Sequence, residues 1–198
     1  MDWLTMWAAE SAEYFGPDPK SATYGETFFD SWQAVMARPA VIAAVEGDTL
    51  GQNLSHATVM GSALGYLCLF FAAQGIGCTG YDLLPKTLVG VAKDAVQRNG
   101  LNALLGSAFH VGDAGTIPLS PEGLGRSTLL WLNDEVWPLE LKQQILARAA
   151  SELFPGSVVV SYGAGAGDTL PVGLRLVDNL RIRTSWYSRE EIRILVKE

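Results

Sequence analysis

From Ser55 onward the chain alternates short apolar runs with helix-patterned segments, and that alternation restricts the fold more than any other feature. Apolar runs over 57–60, 76–82, 108–112, 128–133 and 158–161 read as buried strands. Helical spacing fills 64–74, 85–98 and 138–153 between them, and Asn99-Gly100 is a helix-stop signal. Two further strands, 180–186 and 192–196, close the chain as a hairpin. Strands joined by helices through short connections form a mostly parallel sheet covered on both faces. The expectation is therefore an α/β, Rossmann-like, mostly parallel seven-stranded sheet with an antiparallel terminal hairpin.

The first 54 residues read differently. Trp3, Leu4, Trp7, Ala8 and Tyr14 lie at helical spacing, and the turn Gly16 to Pro19 stops that helix. Helices over 28–36 and 39–45 follow, the latter with proline in its first turn. The reading is an N-terminal helical segment, 1–54, ahead of a core domain, 55–198. Trp3 and Trp7 are assigned to helix packing, with a partner surface as the alternative.

Bulk properties narrow the function. A hydrophobic content of 48% against 18% charged residues describes a folded domain and not a tail or coiled coil. A net charge of −7 argues against broad nucleic-acid binding, which needs a basic face. Arg175, Arg181, Arg183, Arg189, Arg193 and Lys197 enrich the C-terminal segment and read as solvated strand faces, with a local basic patch as the alternative. Cys68 and Cys78 lie in apolar surroundings without metal-ligand spacing and read as free thiols of a reducing, intracellular compartment, nucleus or cytoplasm. With His56 and His110 the only histidines, neither a metal site nor a Ser/His/Asp triad is expected. The opening residues lack a signal-peptide pattern. Residues 57–78 are uncharged and long enough to span a membrane, but Gly61, Gly65, Gly75 and Gly77 fit a strand–turn–helix better, so no membrane association is expected.

The strand ends carry the chemistry. Gly61, Ala63 and Gly65 occupy a G-x-G-x-G turn after the first strand, where small residues let backbone approach a ligand. Asp82 ends the second strand about twenty residues beyond the turn, where a carboxylate can hold ribose hydroxyls; the alternative is a helix cap ahead of Pro85. Asp113 ends the third strand, placed for an adenine amino group or as a solvated loop acid. Asn133 to Pro138 follow the fourth, with Trp137 as channel wall or packing staple. A dinucleotide dehydrogenase is the nearest rival for such a pattern, but Tyr66-Leu67-Cys68 lacks its third glycine. No GK[ST] phosphate loop is present.

Several of these segments resemble the catalytic core of the disruptor-of-telomeric-silencing family, the non-SET histone-lysine methyltransferases within the class I methyltransferases. Tyr24-Gly25-Glu26-Thr27 followed by Phe29-Asp30 resembles its Y-G-E-T-x-F-D loop, and Gly61-Ser62-x-x-Gly65 its glycine turn. Asn133 to Pro138 resembles its N-N-F-A-F-x-P segment, and Thr184-Ser185-Trp186 its late V-S-W strand. The resemblance implies S-adenosyl-L-methionine as cofactor and a protein lysine, of a histone by analogy, as acceptor. It implies that Tyr24, Gly25, Glu26 and Thr27 cover the methionine end and that Gly61, Ser62 and Gly65 line the cofactor. Asp82 would then hold the ribose, Asp113 and Ala114 the adenine, and Asn133 the point where nucleophile and methyl meet. Trp137 and Trp186 would wall the acceptor channel.

The chain departs from the family where Val59 or Met60 replaces an aspartate, Ala63 a glycine and Tyr66 a glutamine. A carboxylate lost beside the cofactor's ammonium weakens binding by about one to a few kcal/mol unless replaced; Glu26 is the candidate replacement. Two other readings remain open: a small-molecule methyltransferase, and a methyltransferase-like binding module without turnover.

Overall fold

The computed structural model describes residues 3–15, 27–46, 56–105, 108–120, 128–135, 137–163, 169–185 and 189–198. Three helices, α1 (Trp3–Phe15), α2 (Phe29–Met36) and α3 (Pro39–Glu46), precede β1 (His56–Met60) and α4 (Tyr66–Ala73). Then come β2 (Gly77–Asp82), α5 (Val91–Arg98), the short α6 (Asn102–Leu105), β3 (Phe109–Val111) and β4 (Leu129–Leu132). The chain continues through α7 (Leu139–Glu152), β5 (Val158–Tyr162), β6 (Leu174–Ile182) and β7 (Glu190–Lys197). The seven strands form one sheet in the order β3-β2-β1-β4-β5-β7-β6. Pairing from β3 through β5 is parallel, whereas β7 runs antiparallel to both β5 and β6.

The central strands are continuous apolar runs because both sheet faces are covered. Successive side chains alternate between the faces. Ala57, Val59, Leu129, Trp131, Val158 and Val160 pack with α4 residues Cys68 and Phe71 and with Val35, Val41 and Ala44 of α2 and α3. On the other face Met60, Leu130, Leu132, Val159 and Leu195 meet Ile145, Leu146 and Ala149 of α7. The Cys68 and Cys78 thiols are free and buried, with their sulfurs 2.8 Å apart beneath the turn after β1. Residues 57–78, long enough to suggest a span, form β1, the turn, α4 and the start of β2; no helix among the described residues is long and apolar enough to cross a membrane.

The strand order reverses between β1 and β4, so the connections leaving these two strands diverge and open a crevice at their carboxyl ends. In open α/β sheets that is where ligands bind. The glycine turn and the segment after β4 both lie there.

Three elements differ from the sequence pattern. The helix expected over 85–98 begins as a π-helical turn, Pro85–Gly90, in which the Leu84 carbonyl accepts from the N–H of Val89, five residues on, at 3.0 Å. The four residues Asn102–Leu105 form a helical turn too short to leave a periodic signal. The sixth strand starts at Leu174 and ends at Ile182, not 180–186. It is an edge strand whose outward Arg175, Asn179 and Arg181 break the apolar pattern, and a bulge between Leu176 and Asp178 shifts its register. The C-terminal basic residues divide similarly: Arg175 is exposed and paired with Glu198, but Arg193 is buried.

Candidate functional site

The turn after β1 is held from below and from the side. Gly61 and Ser62 both donate to the Tyr81 carbonyl at 2.9 Å, which locks the turn to β2. The backbone takes positive φ at Gly61 (72°), Ala63 (49°) and Gly65 (83°), a conformation that costs an alanine such as Ala63 about 1–2 kcal/mol. Gly65 leads into α4, whose first turn has no side-chain cap. Its leading N–H groups are therefore donors facing the crevice, with the positive end of the helix dipole behind them.

Asp82 bonds the backbone on both sides of the crevice floor and does not cap the helix after Pro85. Its Oδ2 accepts from the Ala63 N–H at 2.9 Å, and its Oδ1 from Leu83 at 2.8 Å and Leu84 at 3.4 Å. The carboxylate thus ties the glycine turn to the β2 end while keeping a lone pair on Oδ2 for a further donor. Burial raises its pKa above the usual carboxylate value, Glu10 adds to that rise, and the three N–H donors oppose it. The cap on the following helix comes from elsewhere: Glu10 of α1 accepts from the Lys86 N–H at 2.9 Å.

Asp113 is exposed and its Oδ1 accepts from Gly115 at 2.8 Å, closing a turn that leaves Ala114 buried. Arg148 of α7 fixes that turn by donating to the carbonyls of Gly115 and Ile117, each at 2.9 Å, while Glu152 holds the guanidinium. Gln144 adds a bond to the Gly115 carbonyl.

Asn133 lies where its sequence position suggests and does something the sequence does not reveal. Its amide Nδ2 donates to the Gly61 carbonyl at 2.6 Å, clamping the segment after β4 to the turn after β1. A side chain on Gly61 would meet Asn133 Cβ at 3.2 Å and Trp137 Cζ2 at 3.4 Å. Trp137 therefore stands against the turn as a wall and also packs, half-buried, on the Met60 and Ala114 cluster.

Thr27 reaches the same end of the sheet. Its hydroxyl bonds the Tyr162 hydroxyl, and Thr27 forms an isolated antiparallel bridge with Thr184. Two separate segments of the family resemblance thereby meet at the β5 and β6 ends. Ser62 is buried with its hydroxyl turned toward Gly80. Tyr24, Gly25, Glu26 and Trp186 lie outside the described residues.

A buried polar network behind Asn133 is not foreseen from sequence. Asp134 is fully buried; its Oδ2 accepts from Ser161 Oγ at 2.6 Å and its Oδ1 from the Tyr162 N–H at 2.7 Å. Lys142, also buried, donates to the Glu135 carbonyl at 3.2 Å. Asp134 and Glu135 stand inside a recognisable segment, but nothing in their identity shows which one turns inward.

Burial raises the Asp134 pKa, against opposing contributions from Lys142 and its two hydrogen-bond donors. A folded-state pKa above the unfolded one contributes stability below the unfolded value that is lost as pH rises through the folded value. Asp134→Asn cannot ionise, and a rotated Ser161 hydroxyl can accept from its amide. Its stability relative to the parent chain is expected to increase as pH is raised from the carboxylate range toward neutrality, read by urea denaturation at several pH values.

No protein-family model matches the chain, and no curated protein matches it in sequence. Solved structures do match its fold. TrmN from Thermus thermophilus superposes with a TM-score of 0.64 at 20% identity, over 95% of this chain and 53% of its own, so the chain spans about half the length of that neighbour. The magnesium protoporphyrin IX methyltransferase ChlM from Synechocystis PCC 6803, solved with bound SAM, matches with a TM-score of 0.58 at 14% identity over 100% and 98%. The mitomycin 7-O-methyltransferase MmcR matches with a TM-score of 0.53 at 16% identity over 97% and 68%.

The fold is that of the class I methyltransferases. Agreement at this level carries the architecture, including the antiparallel seventh strand, and not the histone-lysine family in particular.

Proposed function

We propose that the chain is an S-adenosylmethionine-dependent methyltransferase whose acceptor is a small molecule. The observation that carries this reading is the convergence of Asp82, the Gly61–Gly65 turn and Asn133 on one crevice, with Asn133 bonded to the turn it faces. The residues fit the cofactor. Asp82 keeps a lone pair on Oδ2 for a ribose hydroxyl, and the uncapped start of α4 offers N–H groups to a carboxylate. Trp137 presents an aromatic wall beside the turn, where a sulfonium is favourably placed.

When bound, the cofactor supplies an electrophilic methyl group. The chain's part is chiefly positioning, because an in-line displacement rewards fixed geometry. Asn133 holds the turn and keeps its amide oxygen for the acceptor, while Trp137 excludes water from that side.

The small-molecule acceptor is supported by neighbours named for a porphyrin and for mitomycin, which match over most of this chain. The protein-lysine alternative draws on the segment ending at Thr27 and on its bridge to Thr184.

Calorimetric titration with S-adenosylmethionine and S-adenosylhomocysteine tests the reading. Saturable binding of both is expected; failure of both to bind overturns it. Asn133→Ala is expected to weaken S-adenosylhomocysteine by about tenfold, because one clamp on the turn is lost. Asn133→Asp should be weaker still, since a carboxylate repels the Gly61 carbonyl. Unchanged affinity in both variants would show that the clamp plays no part in cofactor binding.

A further inference from the structure

One side chain of α7 spends most of its hydrogen-bonding capacity on the turn after β3. Arg148 Nη1 donates to the Gly115 carbonyl at 2.9 Å and to that of Ala114 at 3.4 Å, and Nη2 to the Ile117 carbonyl at 2.9 Å. The remaining N–H groups, on Nε and Nη2, go to the two Glu152 oxygens at 2.7 and 2.9 Å. All the guanidinium donors are thereby used. The pair with Glu152, four residues on, would form on an isolated helix; the three carbonyl bonds would not. Gln144, one helical turn earlier, adds a bond to the Gly115 carbonyl at 3.1 Å.

The turn so held carries Asp113. Its main-chain carbonyl accepts from the Thr116 and Ile117 N–H groups at 2.9 and 3.0 Å, and its Oδ1 from the Gly115 N–H at 2.8 Å. The other oxygen, Oδ2, accepts nothing among the described residues, and the side chain is exposed. The Gly112 N–H donates to the Asp82 carbonyl at 3.0 Å, so this turn abuts the strand end that carries Asp82. Gly115 is the link between the two side chains. Arg148 and Gln144 grip its carbonyl, and its N–H grips Asp113, so the aim of Oδ2 depends on where α7 holds the turn.

We propose that Arg148 is a positioning residue that gives the site its preference for an adenine base over a 6-oxo purine. The inference rests on the methyltransferase reading and assigns the base selectivity of that same site. Adenine presents an amino donor where hypoxanthine presents a carbonyl oxygen. A carboxylate oxygen held in one place accepts from the first and repels the second, whereas one free to turn away discriminates poorly. Arg148 acts through the Gly115 peptide and makes no base contact of its own. Lysine at this position would offer one nitrogen in place of a planar fork and could not span the carbonyls of residues 114–117.

The test is calorimetric titration of S-adenosylhomocysteine and S-inosylhomocysteine into the parent chain and into Arg148→Lys, Glu152→Gln and Asp113→Asn. The parent should prefer the adenosyl ligand by about tenfold. In Arg148→Lys that preference should fall to about twofold or less through weaker adenosyl binding alone, the unchanged inosyl affinity reporting an intact site. Glu152→Gln keeps the guanidinium but loosens it, and should lie between the two; it carries the same comparison if Arg148→Lys does not fold. Asp113→Asn turns an amide donor toward the base and should reverse the preference. If the parent binds neither ligand, the methyltransferase reading fails and this inference with it. If the parent binds both equally, if Asp113→Asn keeps the parent's preference, or if Arg148→Lys weakens both ligands by one factor or neither, the selectivity assignment alone is overturned.

Discussion

Replacing Asp82 with alanine is expected to weaken S-adenosylhomocysteine binding by about a hundredfold or more and to destabilise the fold by about 2–4 kcal/mol. The two effects have separate causes. A ribose hydroxyl donating to an ionised carboxylate is a charge-assisted bond, and its loss accounts for the affinity. The stability loss arises because the Ala63 and Leu83 N–H groups, now bonded to Asp82 at 2.9 and 2.8 Å, are left in a largely enclosed place without an acceptor. Asp82→Asn separates the two. Its single amide oxygen can still serve one N–H, so stability should recover in part while affinity stays low. Calorimetric titration and urea denaturation of the same preparations read both quantities. An alanine variant that is destabilised but binds normally would assign Asp82 to the turn alone.

Gly65→Ala is expected to cost about 2–5 kcal/mol, the sum of left-handed backbone strain and overpacking. The residue sits at a φ of 83°, and a Cβ there would lie 2.5 Å from Cζ and 2.7 Å from Cε1 of the buried Phe109 ring. That ring belongs to β3 and cannot retreat without disturbing the sheet edge. Gly75 supplies the control: its φ of 75° is similar, but nothing lies within 4 Å of the added carbon. Gly75→Ala should therefore cost only about 1 kcal/mol, the backbone contribution alone. Denaturant midpoints for the two variants decide the matter. Equal losses would show that Phe109 yields and that strain alone requires a glycine at position 65.

The legible parts of the fold were those where local pattern and burial agree. Val158–Tyr162 and Leu129–Leu132 are wholly buried, so their apolar runs announce central strands directly. The edge strand Leu174–Ile182 was misplaced for the opposite reason: solvent on one side admits Arg175, Asn179 and Arg181, and the bulge breaks its period. At the crevice, the positions of Gly61, Gly65, Asp82 and Asn133 were legible because each sits at or just past a strand end. Asp134 was not, since an acid that turns into the protein and one that turns to solvent are spelled alike.

The sequence by itself determined the alternation of strand and helix and the positions of the strand ends that border the crevice. Local sterics and the burial period fix those features, and both are written in consecutive residues. Only the tertiary structure decided that Asn133 clamps Gly61, that Thr27 meets Tyr162, and that Ser161 bonds Asp134. These contacts join residues 72, 135 and 27 positions apart, and depend on strand order and register. Such pairings arise from how the sheet closes over its core, and a hydrogen bond or facing charge between distant residues leaves no trace in either one's neighbours.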